Sequence, residues 1–276
     1  MRKHSLSLRR STFRHSSSPS TSVAVMNSTD SAGTPWEGRT FEPNPAPDDD
    51  GTAPPRFVAV ITRFHEGEAT EADVVDVVRE SRLLIPLLAK AGETATTEAG
   101  LTIDKTQELS IVTVTGPDGR TVLPVFSSVA AMTNWNPEAR PVPAAGTRVA
   151  LAAASENTDL VVIDPLGETE FVVRRPALWS IAQSIGWTPS YLRAEVRDEF
   201  VSLASDESDV VEIQLLAGDP SARLHGPELV VQIAMKTGLD RETLDAVMER
   251  LRERWATSEI IAQAVDSLAI QVVRAP

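Results

Sequence analysis

Residues 123–136 read LPVFSSVAAMTNWN. An apolar LPVF runs through two adjacent serines into helix-forming residues, so the serines either present a nucleophile at a strand-to-helix turn or start a helix. A nucleophile elbow needs GxSxG, with glycines that permit the sharp turn, and FSSVA supplies neither. Ser127 or Ser128 therefore reads as the N-cap of a helix through VAAM, its oxygen accepting from an amide that the helix leaves unpaired. Trp135 is expected to close that unit by packing.

Upstream, QELSIVTVTGPDGRTVLPVF at 107–126 holds two β-branched runs around GPDG, strong turn chemistry that predicts a hairpin. TEADVVDVV offers Thr70 as a helix cap with Asp73 three residues on, a capping-box arrangement. SRLLIPLLA at 81–89 reads as a strand, and its internal Pro86 places it at a sheet edge. Folding is expected to begin near Phe57.

Downstream, ARPVP precedes a short helix in AGTRVALAAASEN. The unbroken apolar run in DLVVIDP suits a strand covered on both faces, with ETEFVV as a second strand beside it. In RRPALWSIAQSIGW, Pro176 suits a first helical turn, Leu178, Ile181, Ala182 and Ile185 share one face, and Gly186 is placed to stop the helix. The polar run ending in SLASDESD reads as a linker. Beyond it, Val211, Ile213 and Leu215 alternate with Glu212 and Gln214, and Leu229, Val231, Ile233 and Met235 keep the same parity. DRETLDAVMERLRERW puts Leu244, Val247, Met248, Leu251 and Trp255 on one helical face behind Asp240 as cap. SLAIQVV is a closing strand. The opposite sheet face would carry Glu212, Gln214, Gln232 and Gln271, either solvated or available for dimerisation. The fold class expected is α+β: a mixed sheet with flanking helices followed by a small ββαβ domain. The expected boundaries are an arm at 1–55, a first domain at 56–186, a linker at 187–208 and a second domain at 209–276.

The arm is basic and serine-rich at its start, and seven of the 19 prolines fall within it. It lacks the apolar area needed to offset the entropy of ordering, so it is read as disordered. Its VAVM run is shorter than the ~7 to 15 residues of a secretory core, and Met26 is an alternative translation start. Six basic and six acidic residues cancel in 1–50, so the whole net charge of -13 lies on residues 51–276. That charge disfavours nucleic acid and anionic lipid, both of which demand a basic surface. No apolar run approaches the ~20 residues of a membrane helix, and a cytoplasmic setting is expected. With no cysteine, disulfides and thiolate chemistry are excluded, and the four histidines form no zinc-site spacing. No metal and no cofactor are expected.

RLLIPLLA, GPDGR, LPVFSS with the following NW, ARPVP, LVVIDP, RRPALWSIAQ and WTPS occur in the order seen in bacterial SseB-like proteins, which the chain resembles over roughly residues 57–272. The resemblance implies an SseB N-terminal domain with a small C-terminal domain. The founding member is linked to enhanced serine sensitivity, a phenotype rather than a reaction, and the family supplies no catalytic residues to carry over. Two function classes remain. A hydrolase would pair Ser127 or Ser128 with His65 or His225, or use carboxylates. A non-catalytic binding or regulatory protein would draw on Arg120, Arg140, Asp164, Arg174 and Arg175 at strand ends and loops, holding a partner's acidic segment or a small anionic ligand. The second class is the expectation adopted, with no catalytic residue assigned.

Overall fold

The computed structural model describes residues 49–90, 95–96, 102–103 and 108–275. The expected arm therefore lies, up to residue 48, outside the described residues, as do the alternative start and the apolar VAVM run. Residues 49–54 are not loose: Arg82 donates to Asp49 Oδ1 and to the Thr52 carbonyl, and the Gly51 carbonyl accepts from Val129.

The first half contains α1 (Pro55–His65), α2 (Glu71–Glu80) and β1 (Arg82–Lys90). Two short strands follow, β2 (Ala95–Thr96) and β3 (Thr102–Ile103), paired with each other. Next come β4 (Glu108–Ile111), β5 (Val114–Thr115), β6 (Thr121–Val125), α3 (Val129–Trp135) and β7 (Arg140–Ala145). Then α4 (Gly146–Ser155), β8 (Leu160–Ile163), β9 (Phe171–Arg174) and α5 (Arg175–Ala182) complete it. Helix α1 was not anticipated, although its Phe57 is fully buried. Helix α2 has the capping box expected of Thr70 and Asp73.

Two sheets form, ordered β4-β1-β7 and β5-β6-β8-β9, and a single bridge from Leu84 to Phe126 joins them. Strand β1 is thus central, which corrects the edge placement drawn from Pro86. The Leu84 amide and carbonyl face Phe126, so by alternation Pro86 faces the same side, in the gap between that bridge and the pairing with β4. Its missing N–H falls where no ladder bond is needed. The outer strand is β7, and the same alternation turns Pro141 and Pro143 toward its free edge, a guard against edge-to-edge pairing.

Helices α1, α2, α4 and α5 pack over one face of both sheets, burying Phe57, Val75, Leu123, Ile163, Phe171 and Ile181 among others. The other face of the second sheet buries Val122, Leu160, Val162 and Val172 against Leu224, so β8 is covered on both faces as its unbroken run predicts. Helix α5 ends earlier than expected. Ser184 takes a positive φ of 57, Gly186 plays no capping part, and Ile185 is turned out to solvent.

The stretch read as a linker is folded. It holds a 3-10 turn at Ser190–Leu192 and α6 (Ala194–Leu203), whose Val196 and Phe200 are completely buried. The second half continues with β10 (Val210–Ala217), β11 (Leu229–Met235), α7 (Arg241–Ala256), α8 (Glu259–Ala264) and β12 (Leu268–Arg274). Strand β11 lies centrally, antiparallel to β10 and parallel to β12, and α6, α7 and α8 cover one face. The expected ββαβ order gains α8, capped by Ser258. Val211 breaks its predicted parity: a bulge between Val210 and Glu212 leaves it unpaired and 54% exposed. No helix among the described residues is long and apolar enough to cross a membrane.

Candidate functional site

The end of β6 and the end of β8 are parallel neighbours, and this brings the serines of the opening motif to Asp164. Ser127 is buried. Its amide donates to Asp164 Oδ1 at 2.8 Å and its hydroxyl to Oδ2 at 2.6 Å. Thr169 donates to Oδ2 at 2.6 Å, and the Asp164 amide donates to the Val125 carbonyl. Asp164 itself has a φ of 47. A carboxylate tolerates that left-handed conformation when its side chain is fixed locally, and here three donors fix it. Ser128 takes the other role. Its oxygen accepts from the Ala131 amide and caps α3. Neither serine hydrogen-bonds His65 or His225 among the described residues.

The anchored Asp164 aims the following loop. Gly167 returns its amide to the Asp164 carbonyl, and Leu166, at φ 65, stands 93% exposed. Below it a cleft of about 410 Å³ lies on the outer face of β5-β6-β8-β9. Its apolar lining includes Val122, Pro124, Val162, Val172, Leu224 and Trp135, with Pro165 and Leu166 at the rim. Trp135 packs on Phe126 at 5.2 Å between ring centroids, so it is both a cleft wall and the closing contact of α3.

A further wall comes from the β10–β11 connection. Ala222 and Leu224 take positive φ values, and the Ala222 carbonyl accepts from Val172. Asp219 holds that turn by accepting from the amides of Arg223 and Leu224. Arg223 and His225 bring basic side chains to the cleft, and Glu170 brings a carboxylate that accepts from the Leu166 amide. Among the described residues no carboxylate pairs with Arg223, whose guanidinium donates to the Glu168 carbonyl. His65 is held below the usual imidazole range, first by partial burial and then by the Arg223 charge.

Three of the sequence-derived candidates meet elsewhere, at the junction of the two halves. Arg174 is buried and donates to Asp219, Asp266, Ser267 and the Gly226 carbonyl. Arg120 bonds Asp118 and both oxygens of Asp266. Arg175 donates to the Ala262 and Val265 carbonyls and lies 5.8 Å from the Trp179 ring centre. Arg140 is exposed on β7, away from them, and Asp164 belongs to the cleft loop. Close by, Tyr191 donates to Glu71 at 3.2 Å and Ser190 to Glu228 at 2.7 Å. Burial pushes the Glu71 carboxyl up to about 7 and raises that of Glu228.

Leu166, Arg223 and Leu224 carried no signal in the sequence as site residues. The only hint was the two-sided burial implied by LVVI. No group of three or more metal-ligating side chains gathers among the described residues.

Fold and site together define an α+β protein with a mostly apolar cleft on the outer face of its second sheet, bordered by Arg223, His225 and Glu170. Residues 58–180 match the family model for the SseB protein N-terminal domain, so the chain carries an SseB N-terminal domain. The match spans every strand that floors the cleft and ends inside α5. No curated protein and no solved structure matches the chain.

Proposed function

We propose that this is a non-catalytic, cytoplasmic binding protein whose SseB domain holds a small amphipathic anion in the cleft. The observation that carries the reading is the cleft itself: a mostly apolar space of about 410 Å³ whose polar lining is Arg223, His225 and the Glu170 carboxylate, the last already engaged by the Leu166 amide. Ligand sites are concave, mostly apolar and of roughly 300–1,000 Å³, with a few placed polar groups that orient the ligand. The apolar body would lie among the accessible Val114, Trp135, Pro165 and Leu166, and the anionic end would meet Arg223, whose planar fork suits carboxylate or phosphate. The serines support binding over nucleophilic chemistry, since Ser127 donates its hydroxyl to Asp164 and Ser128 caps a helix.

Calorimetric titration with decanoate and with neutral decanol tests this. Saturable decanoate binding is expected, stronger than decanol; Arg223→Glu should remove the preference and Leu166→Asp should weaken both. Absence of saturable binding, or binding indifferent to both substitutions, overturns the proposal.

A further inference from the structure

The two edges of the C-terminal sheet are not alike. The β10 edge is interrupted by the bulge at Val211 and carries Glu212, devices that keep edge strands from pairing. Among the described residues β12 pairs with β11 alone, and its edge has neither bulge nor acid: seven residues in unbroken register, without proline, with Arg274 at the end as the one charge. The Ser267 carbonyl accepts from Leu229 and the Ala275 amide donates to Met235. Odd-numbered residues of β12 therefore bond β11, and the amides and carbonyls of Leu268, Ile270, Val272 and Arg274 face the free edge.

The side chains of Leu268 and Val272 point to the helix-covered face, yet they are 37% and 41% exposed. The helices stop short of them. Leu268 and Ile270 line an open groove with Trp255 and Ala256. On the opposite, uncovered face Gln214, Gln232 and Gln271 stand in one row across the three strands, with Gln232 donating to Gln271.

We propose that the chain forms a two-fold homodimer in which β12 pairs antiparallel with β12 of a second copy about Gln271, making one continuous sheet. A second copy is the occupant because the strand is complementary to itself in this register. Ile270 falls opposite Val272 of the second copy on the helix-covered face, so two half-exposed apolar side chains cover each other. Every free-edge amide and carbonyl from Leu268 to Arg274 finds a partner. Gln271 meets Gln271 of the second copy, and the glutamine row runs on across the interface as an amide ladder of the kind that stabilises stacked strands. A register centred on Ile270 instead sets Arg274 opposite Asp266, which is buried between Arg120 and Arg174.

Light-scattering mass measurement on the full chain is the first test, with twice the 29.8 kDa chain mass expected at micromolar concentration. Val272→Pro removes only a free-edge amide, so it should give a folded monomer by circular dichroism. Gln271→Lys and Gln271→Glu should each be monomeric alone and form a dimer when mixed. Because the chain has no cysteine, Gln271→Cys should give a single interchain disulfide on mild oxidation. A wild-type chain that stays monomeric, a dimer that survives Val272→Pro, or charge variants that fail to recombine overturns the proposal.

Discussion

Ser127 and Ser128 are neighbours with opposite hydrogen-bonding roles, and their removal should differ in cost. Ser128→Ala loses a helix cap, typically about 1 kcal/mol. Ser127→Ala removes one of the three donors to the buried Asp164 carboxylate, and a hydrogen bond to a charged group is worth roughly 1.5–3 kcal/mol. Denaturant unfolding should therefore show the larger midpoint shift for Ser127→Ala. The two serines were legible in sequence as a strand-to-helix marker. Which one caps and which one anchors was not, because Asp164 lies 37 residues away and reaches Ser127 only through the parallel pairing of β6 with β8.

Single elements carry their own consequence for pH. Glu71 sits in the first turn of α2, where a negative charge is ordinarily favoured, but burial against the Tyr191 turn wins and lifts its carboxyl from 4.5 to about 7. An acid with a raised folded-state value binds more protons folded than unfolded between those limits, so stability falls as pH rises through that window. Glu71→Gln should flatten the fall in melting temperature between pH 5 and pH 7, measured by thermal unfolding; a residual slope of the same sign is expected from Glu228, whose carboxyl is also raised. Element type was readable where a local rule dominates, as in the Thr70 capping box or the alternating residues of β11. Placement was not. Pro86 signalled an edge that belongs to Pro141 and Pro143, since a proline needs only an unpaired side and the gap beside Phe126 provides one inside the sheet.

At the scale of the molecule, Arg174 is more deeply buried than Arg120 among the side chains that tie the halves together. It reaches from β9 to Asp219 and Gly226 on the β10–β11 connection and to Asp266 before β12. Truncating one member of a buried charge network leaves the others unpaired, at about 3–5 kcal/mol. Arg174→Ala should destabilise the fold on that scale, read by calorimetry as a lower melting temperature. It should also weaken decanoate binding, because Asp219 loses its partner and with it the anchor of Leu224. Arg174→Lys should recover only part of either effect, lacking the fork that bonds both carboxylates. Arg120, Arg174 and Arg175 gather at this junction, where they bond Asp118, Asp219, Asp266 and backbone carbonyls.

Local chemistry made the α+β class, most elements and the SseB motifs visible in the chain alone, because hydrophobic periodicity, capping residues and turn pairs act within a few positions. The central place of β1, the folding of 190–203 into the C-terminal core and the cleft were decided only in three dimensions. Each depends on contacts between residues far apart in the chain: Leu84 with Phe126, Phe200 with Trp255, and Leu224 laid over Val162 and Val172. A sequence pattern records that a residue is apolar and on which face it falls; which surface comes to cover that face is set by the packing of the whole.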